Sequence, residues 1–317
     1  MTPNRRTKIV FMGTPEIAVT CLDRLVRDGF DVRAVVTRID KPKGRRAILT
    51  PPPVKVYAEQ NGIPVCQPRT LRDEAFAAWL REVDPDLILV VAFGMILPEN
   101  VLAYPKYGCI NVHASLLPKY RGAAPMQRAI MDGESETGVT IMYMDAGLDT
   151  GDMIFRRATP ITGTDTLETV HDKLAKLGAE ALSDAVRRIE NGETLPREKQ
   201  NGDLATYAAK IEREDAKLDF TRPARELDLQ IRALTPIPYA YFTRSDGATV
   251  KVLSARPAKG EGTPGTVLAA SLEKEGYIRV ACGAGALDIV SLKPEGKGGM
   301  TAADYLRGRK LSVGEAL

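Results

Sequence analysis

The chain has 317 residues, 44% of them apolar and 27% charged, with a formal net charge of +3. These are ordinary values for a globular chain of two domains, or one large domain with an appendage, and so small a charge demands no polyanion partner. Cys21, Cys66, Cys109 and Cys282 are scattered without a CxxC or a ligand-spaced histidine, which argues against structural zinc and disulfides. No signal-peptide core or membrane-length apolar run is present, so a cytoplasmic enzyme with no membrane partner is expected.

In chain order, Lys8–Met12 reads as a buried strand. Thr14-Pro15-Glu16 then reads as a helix start, with Thr14 as N-cap, Pro15 in the first helical position and an acid in the first turn. The helix carries Ile17, Cys21, Leu22 and Leu25 on its apolar side and stops at Gly29. Val32–Thr37, Val65–Gln67, Asp86–Ala92 and Cys109–His113 read as further strands, with helices near 53–61, 71–82 and 122–132. Such alternation predicts an α/β fold, a doubly wound and mainly parallel sheet, whose ligands lie outside the carboxyl ends of its strands. Gly138–Met144 and Met153–Arg157 read as a hairpin flanking the loop of Asp149, and Thr164–Glu190 as a long helix. Polar residues from 191 to 206 suit a linker. Beyond it, one helix near Ala224–Ala233 is followed by short alternating runs between glycine-rich turns, which predicts a small β-barrel or sandwich. The expected division is therefore 1–190, a linker at 191–206, and 207–317.

The chemistry concentrates in Asn111-Val-His113-Ala-Ser115-Leu116-Leu117-Pro118 and Gly147-Leu-Asp149-Thr-Gly151-Asp152. Alternation along a strand puts Asn111 and His113 on one face. An amide can donate to a developing oxyanion, an imidazole can move protons near neutral pH, and a carboxylate can hold that imidazole in one tautomer. The glycines beside Asp149 let its backbone approach another element. Asp145 and Asp152 read as hydrogen-bonding supports, Trp79 as helix packing, and His171, among charged neighbours, as a helix-face residue. Gly13-Thr14-Pro15 sits where a nucleotide fold would carry its glycine loop, but neither GxGxxG nor GxxxxGK[ST] is present, so it reads as a turn and helix cap, with contact to a substrate atom as the alternative. Arg121 follows the reactive segment closely enough to meet an anionic substrate. Arg38, Lys41, Lys43, Arg45 and Arg46, with Asp40 among them, form a local basic loop suited to phosphate, or else a solvated surface.

Together with Val10-Phe-Met-Gly13-Thr14-Pro15, Tyr120-Arg121-Gly122-Ala-Ala-Pro125 and the tail stretch Leu292-Lys-Pro-Glu-Gly296-Lys-Gly-Gly-Met300, these segments resemble the methionyl-tRNA formyltransferases nearly end to end. The Asn, His and Asp trio alone is common to the wider folate-dependent formyltransferases. It indicates the reaction more than the acceptor. The resemblance implies transfer of the formyl group of 10-formyltetrahydrofolate to the α-amine of methionine on charged initiator tRNA, by a monomer that needs no metal. It makes Asn111, His113 and Asp149 catalytic, lines the folate site with Ser115 to Pro118, sends the basic loop to the acceptor stem, and gives the tail an oligonucleotide-binding barrel that holds the tRNA. Ile39 departs from the family's common proline at that point of the loop. Two alternatives keep the trio: a formyltransferase for a small amine or nucleotide-linked sugar, and a formyltetrahydrofolate hydrolase. A nucleic-acid-binding module on a vestigial enzyme fold is a third, and the intact trio argues against it.

Overall fold

A computed structural model describes residues 6–44, 47–273 and 276–317. Two compact units emerge. The first runs to Ala123 and adds Glu136–Pro160 and His171–Ala208; the second comprises Ala124–Ser135, Ile161–Val170 and Ala209–Leu317.

The first unit begins with β1 (Ile9–Gly13), α1 (Glu16–Arg27) and β2 (Val32–Val36), then a small hairpin of β3 (Lys41–Lys43) and β4 (Ile48–Thr50). After it come α2 (Pro53–Gln60), β5 (Val65–Cys66), α3 (Glu74–Val83), β6 (Leu87–Val91), α4 (Glu99–Leu102), β7 (Cys109–His113) and a two-residue strand β8 (Arg121–Gly122). Helix α5 (Pro125–Met131) belongs to the second unit; β9 (Glu136–Tyr143) and β10 (Met153–Pro160) return to the first, as do the residues of α6 (Leu167–Glu190) from His171 onward. The sheet order is β10-β9-β7-β6-β1-β2-β5, parallel from β5 to β7, with β9 and β10 as the antiparallel hairpin expected.

Apolar residues on both faces make β1 and β6 wholly buried strands, as a sheet covered on two sides requires, and β7 is equally buried although Asn111 and His113 lie on one of its faces. Val10, Ile88 and Cys109 share a core with Phe76 and Leu80 of α3, where Trp79 stacks on Phe76 at 5.4 Å. On the other face, a Cβ at Gly178 of α6 would lie 3.0 Å from Val112, 3.7 Å from Val139 and 3.9 Å from Cys21 of α1. Helices therefore cover both faces, which is the doubly wound arrangement.

Two helix starts differ from expectation. Thr14 does not cap α1: Pro15 takes that position without a side-chain bond, and the Thr14 hydroxyl donates instead to the Phe93 carbonyl (2.9 Å). Helix α5 begins only at Pro125, because Arg121 and Gly122 are drawn into a parallel ladder with β11 (Tyr207–Ala208). His171 sits on α6 with Nδ1 3.1 Å from the Asp172 carboxylate, a helix-face residue as expected.

In the second unit α7 (Ala224–Ala233) packs with β12 (Ala240–Thr243), β13 (Thr249–Ala258), β14 (Val267–Ser271), β15 (Tyr277–Ala281), β16 (Ala286–Pro294), β17 (Met300–Thr301) and α8 (Ala302–Gly308) around one apolar cluster that includes Leu227, Ile231, Val250, Val252, Ile278 and Leu287. Its sheet is antiparallel in the order β12-β13-β16-β15-β14, with β17 beside β16. The β-rich tail is as expected, but the barrel is open: among the described residues no ladder joins β12 to β14. Irregular pairing between Val252 and Ala255 and between Val267 and Ala269 bends the sheet rather than closing it.

Candidate active site

Strand β7 carries the site because its register sets it among three neighbours. Asn111 lies level with Val90 of β6 and Met142 of β9, and His113 is level with Thr140. Asn111 and His113 are buried side chains of one face at the carboxyl end of a parallel strand.

The His113 ring is held from two sides. Its Nε2 lies 2.8 Å from the carbonyl of Tyr120, which can only accept, so Nε2 carries the hydrogen. The other nitrogen, Nδ1, faces Asp149 Oδ2 at 3.6 Å. Both nitrogens therefore look at oxygen acceptors. Because Nε2 is already engaged, Nδ1 is the nitrogen left toward a reacting group. Asp149 is fixed in turn by the Gly122 backbone N–H, which donates to Oδ2 at 2.8 Å.

Backbone conformation delivers these groups. Tyr120 and Asp149 have φ of 62° and 52°, in the left-handed region, and Gly122 has φ of 117°. The β9–β10 loop passes so close to its own strand that a Cβ at Gly151 would stand 1.9 Å from the Tyr143 carbonyl oxygen. Asp145 is the expected support: its Oδ1 accepts from the Gly147 N–H (3.0 Å) and the Thr150 hydroxyl (2.7 Å). Asp152 stands 3.9 Å from the Arg197 guanidinium.

The Ser115–Pro118 turn is tightly pinned. The Ser115 hydroxyl donates to the Lys119 carbonyl (2.7 Å); Thr140 donates to the Ser115 carbonyl (2.7 Å) and accepts from the Leu117 N–H (3.0 Å). Ser115 and Leu117 point into the structure, while Leu116 and Pro118 are half-buried. At Gly13 a Cβ would stand 2.7 Å from Ala18 and 2.8 Å from Phe11, so glycine is required there by packing.

Three contributors carried no sequence signal. Gln200 donates from Nε2 to the carbonyls of Asp149 and Gly151, both at 2.8 Å, and accepts at Oε1 from Arg121 Nε (3.0 Å) and Nη2 (2.8 Å). Thr206 accepts from the Tyr120 N–H at 2.8 Å. Thr140 holds the 115–118 turn. Gln200 and Thr206 lie in the polar stretch read as a linker; the Met153–Glu198 bridge and the β8–β11 ladder, each between segments far apart in sequence, bring them here.

The basic loop stands apart from this buried network. Lys41 and Lys43 are exposed on β3, paired with Thr50 and Ile48 of β4, and Ile48 and Leu49 are exposed as well. Arg38 donates to the Gly94 carbonyl (3.2 Å). Asp40 ties the base of the hairpin, accepting from Gln67 (2.7 Å) and Lys55 (3.0 Å), and those two bonds hold its carboxyl below the usual range. Arg45 and Arg46 lie outside the described residues. Among the described residues no group of His, Cys, Asp and Glu side chains could hold a metal ion, and no helix is long and apolar enough to cross a membrane.

Known proteins match this arrangement. The formyl transferase family matches residues 7–186, and the formyl transferase C-terminal domain matches residues 210–310. The methionyl-tRNA formyltransferase of Citrifermentans bemidjiense is 49% identical over 98% of this chain and 96% of its own length; that of Pseudomonas syringae is 48% identical over 98% of each. The chain belongs to the formyl transferase family, in its methionyl-tRNA formyltransferase branch. Among solved structures, a HypX variant from Aquifex aeolicus superposes with a TM-score of 0.66 at 20% identity, over 98% of this chain and about half (49%) of that longer one. An N-formyltransferase from Helicobacter canadensis, solved with folinic acid and dTDP-3-aminofucose, gives 0.65 at 22% identity, covering 90% of this chain and 98% of its own. These distant likenesses speak for the fold.

Proposed function

We propose that this enzyme moves the formyl group of 10-formyltetrahydrofolate onto the α-amine of methionine carried by charged initiator tRNA, acting in the cytoplasm as a monomer and without a metal. One observation carries the chemistry: in a chain of this family, the imidazole of His113 and the carboxylate of Asp149 meet at the end of the strand that also presents Asn111.

The amine attacks the formyl carbon, a carbon–nitrogen bond forms, and negative charge grows on the formyl oxygen. The Asn111 amide and a protonated His113, donating from Nδ1, stabilise that oxygen. Asp149 sustains the imidazolium and takes up the proton the amine sheds, directly or through water. The bond to the folate nitrogen then breaks and a proton returns to that nitrogen. A positioned acid or base is worth about 10²–10⁴ in rate, and one oxyanion donor about 10²–10³. Folate lies against the 115–118 turn, where Leu116 and Pro118 offer apolar surface and the buried Ser115 and Leu117 keep the turn rigid. Gly13, Thr14, Pro15 and Arg121 border the substrate. Arg38, Lys41, Lys43, Arg45 and Arg46 meet phosphates of the tRNA, as does the β-rich second unit.

The test offers 10-formyltetrahydrofolate together with methionyl-tRNA, an amino-sugar nucleotide, or water alone, and measures where the formyl group goes. Transfer to methionyl-tRNA is expected, with kcat reduced about 10²–10⁴-fold by His113→Ala and tRNA affinity unchanged. Transfer to the small amine or to water at a comparable rate would sink the assignment of the acceptor, and normal turnover in His113→Ala the assignment of the acid.

A further inference from the structure

We propose that Gln200 is a positioning residue for the reaction, holding the loop of Asp149 and the guanidinium of Arg121 with one side chain so that the two respond as a unit. The inference rests on the reading of Asp149 as catalytic. A glutamine amide offers two N–H donors and two acceptor lone pairs, and here all four are spent. The donors go to the Asp149 and Gly151 carbonyls; the acceptor oxygen takes two N–H groups of Arg121.

The four bonds do different work. Asp149 has a left-handed backbone; its carboxylate takes the Gly122 N–H, and its loop is braced at Gly147 and Thr150 by Asp145 and at its far end by the Tyr143 N–H to the Asp152 carbonyl. Between these braces the Gln200 amide holds the carbonyls on either side of Thr150. Losing those donors takes from the Asp149 and Gly151 carbonyls their bonds to Gln200 and loosens the backbone that sets the carboxylate 3.6 Å from His113, leaving it held by the Gly122 N–H alone among these bonds. Misplacement of a reacting group by about 1 Å can cost on the order of 10² in rate. The bonds to Gln200 take Nε and Nη2, one edge of the Arg121 guanidinium, and leave Nη1 outside that pair, the nitrogen we assign to a substrate anion. A substrate that moves Arg121 therefore pulls on Asp149.

Glutamate separates this role from packing. It has the size of glutamine and accepts from Arg121, but it turns oxygen toward two carbonyl oxygens. Gln200→Glu and Gln200→Ala are measured beside Asp149→Asn for formylation of methionyl-tRNA, with KM for both substrates and Tm for each protein. Both Gln200 variants are expected to lose about 10–100-fold in kcat, with KM for tRNA within about threefold and Tm of Gln200→Glu near the parent's. In an Arg121→Ala background, Gln200→Ala is expected to cost less than in the parent, because residues acting as a unit are non-additive. Parental kcat in Gln200→Glu overturns the inference, as does full additivity with Arg121→Ala. If Asp149→Asn keeps parental turnover, the reading of Asp149 fails first and the inference falls with it; if Asp149→Asn is inactive while Gln200→Glu is not, only the inference fails.

Discussion

The end of β7 and the β3–β4 hairpin belong to the same unit and are built in opposite ways. At β7 the proposed catalytic groups of His113 and Asp149 are largely enclosed and held by others: Tyr120 holds His113, Gly122 holds Asp149, and Gln200 and Thr206 hold the backbone behind them. The hairpin has two exposed three-residue strands, lysines and isolated apolar side chains facing outward, and anchoring bonds concentrated at Asp40 and Arg38. A site that must place a proton within tenths of an ångström gains from rigidity. A surface that meets a polyanion needs mainly charge and reach, since lysines and arginines meet phosphate through Coulomb attraction and released counterions.

That contrast can be broken by experiment. Asn111→Ala is expected to lower kcat by about 10²–10³-fold while leaving KM for tRNA unchanged in steady-state assays. A rise in KM with kcat intact would place Asn111 in binding. The double replacement Lys41→Ala with Lys43→Ala should do the reverse, with tRNA affinity down about tenfold and kcat at saturation intact. Its salt titration should show the slope of log affinity falling by about 0.7–0.9 for each phosphate that is no longer neutralised; an unchanged slope would make the hairpin a solvated surface. Asp40→Asn should have the smallest effect, a two- to threefold rise in KM for tRNA, read by the same assay. The pH dependence has a definite sign. Because bonds from Gln67 and Lys55 lower the Asp40 carboxyl, the anchor is intact through the neutral range and is lost only as pH falls below the usual carboxylate range.

The strands of the first unit were legible because a buried parallel sheet demands apolar runs: Ile9–Gly13 and Leu87–Val91 are continuous ones, and Cys109–His113 is broken only by Asn111 before its terminal His113. Asn111, His113 and Asp149 were legible because polar residues at a strand end and a glycine-flanked carboxylate are conspicuous. What escaped depends on pairings between distant residues. Gln200 and Thr206 sit in a polar stretch with no periodicity, and pairings with distant segments, Glu198 with Met153 and Tyr207 and Ala208 with Arg121 and Gly122, give them partners. Thr14 looked like an N-cap because local rules put it there; the Phe93 carbonyl, from a neighbouring strand end, took its hydroxyl instead. Strand β12 and helix α8 are too short to rise above the pattern of the tail.

The left-handed backbone at Asp149 bears on how this enzyme can fail in a cell. Asparagine is the other polar residue that readily accepts such a conformation, it has the outline of aspartate, and its side-chain oxygen can still take the Gly122 N–H. On the role proposed for Asp149, a gene carrying Asp149→Asn would therefore encode a protein that keeps this backbone and the bond from Gly122 while turning over slowly.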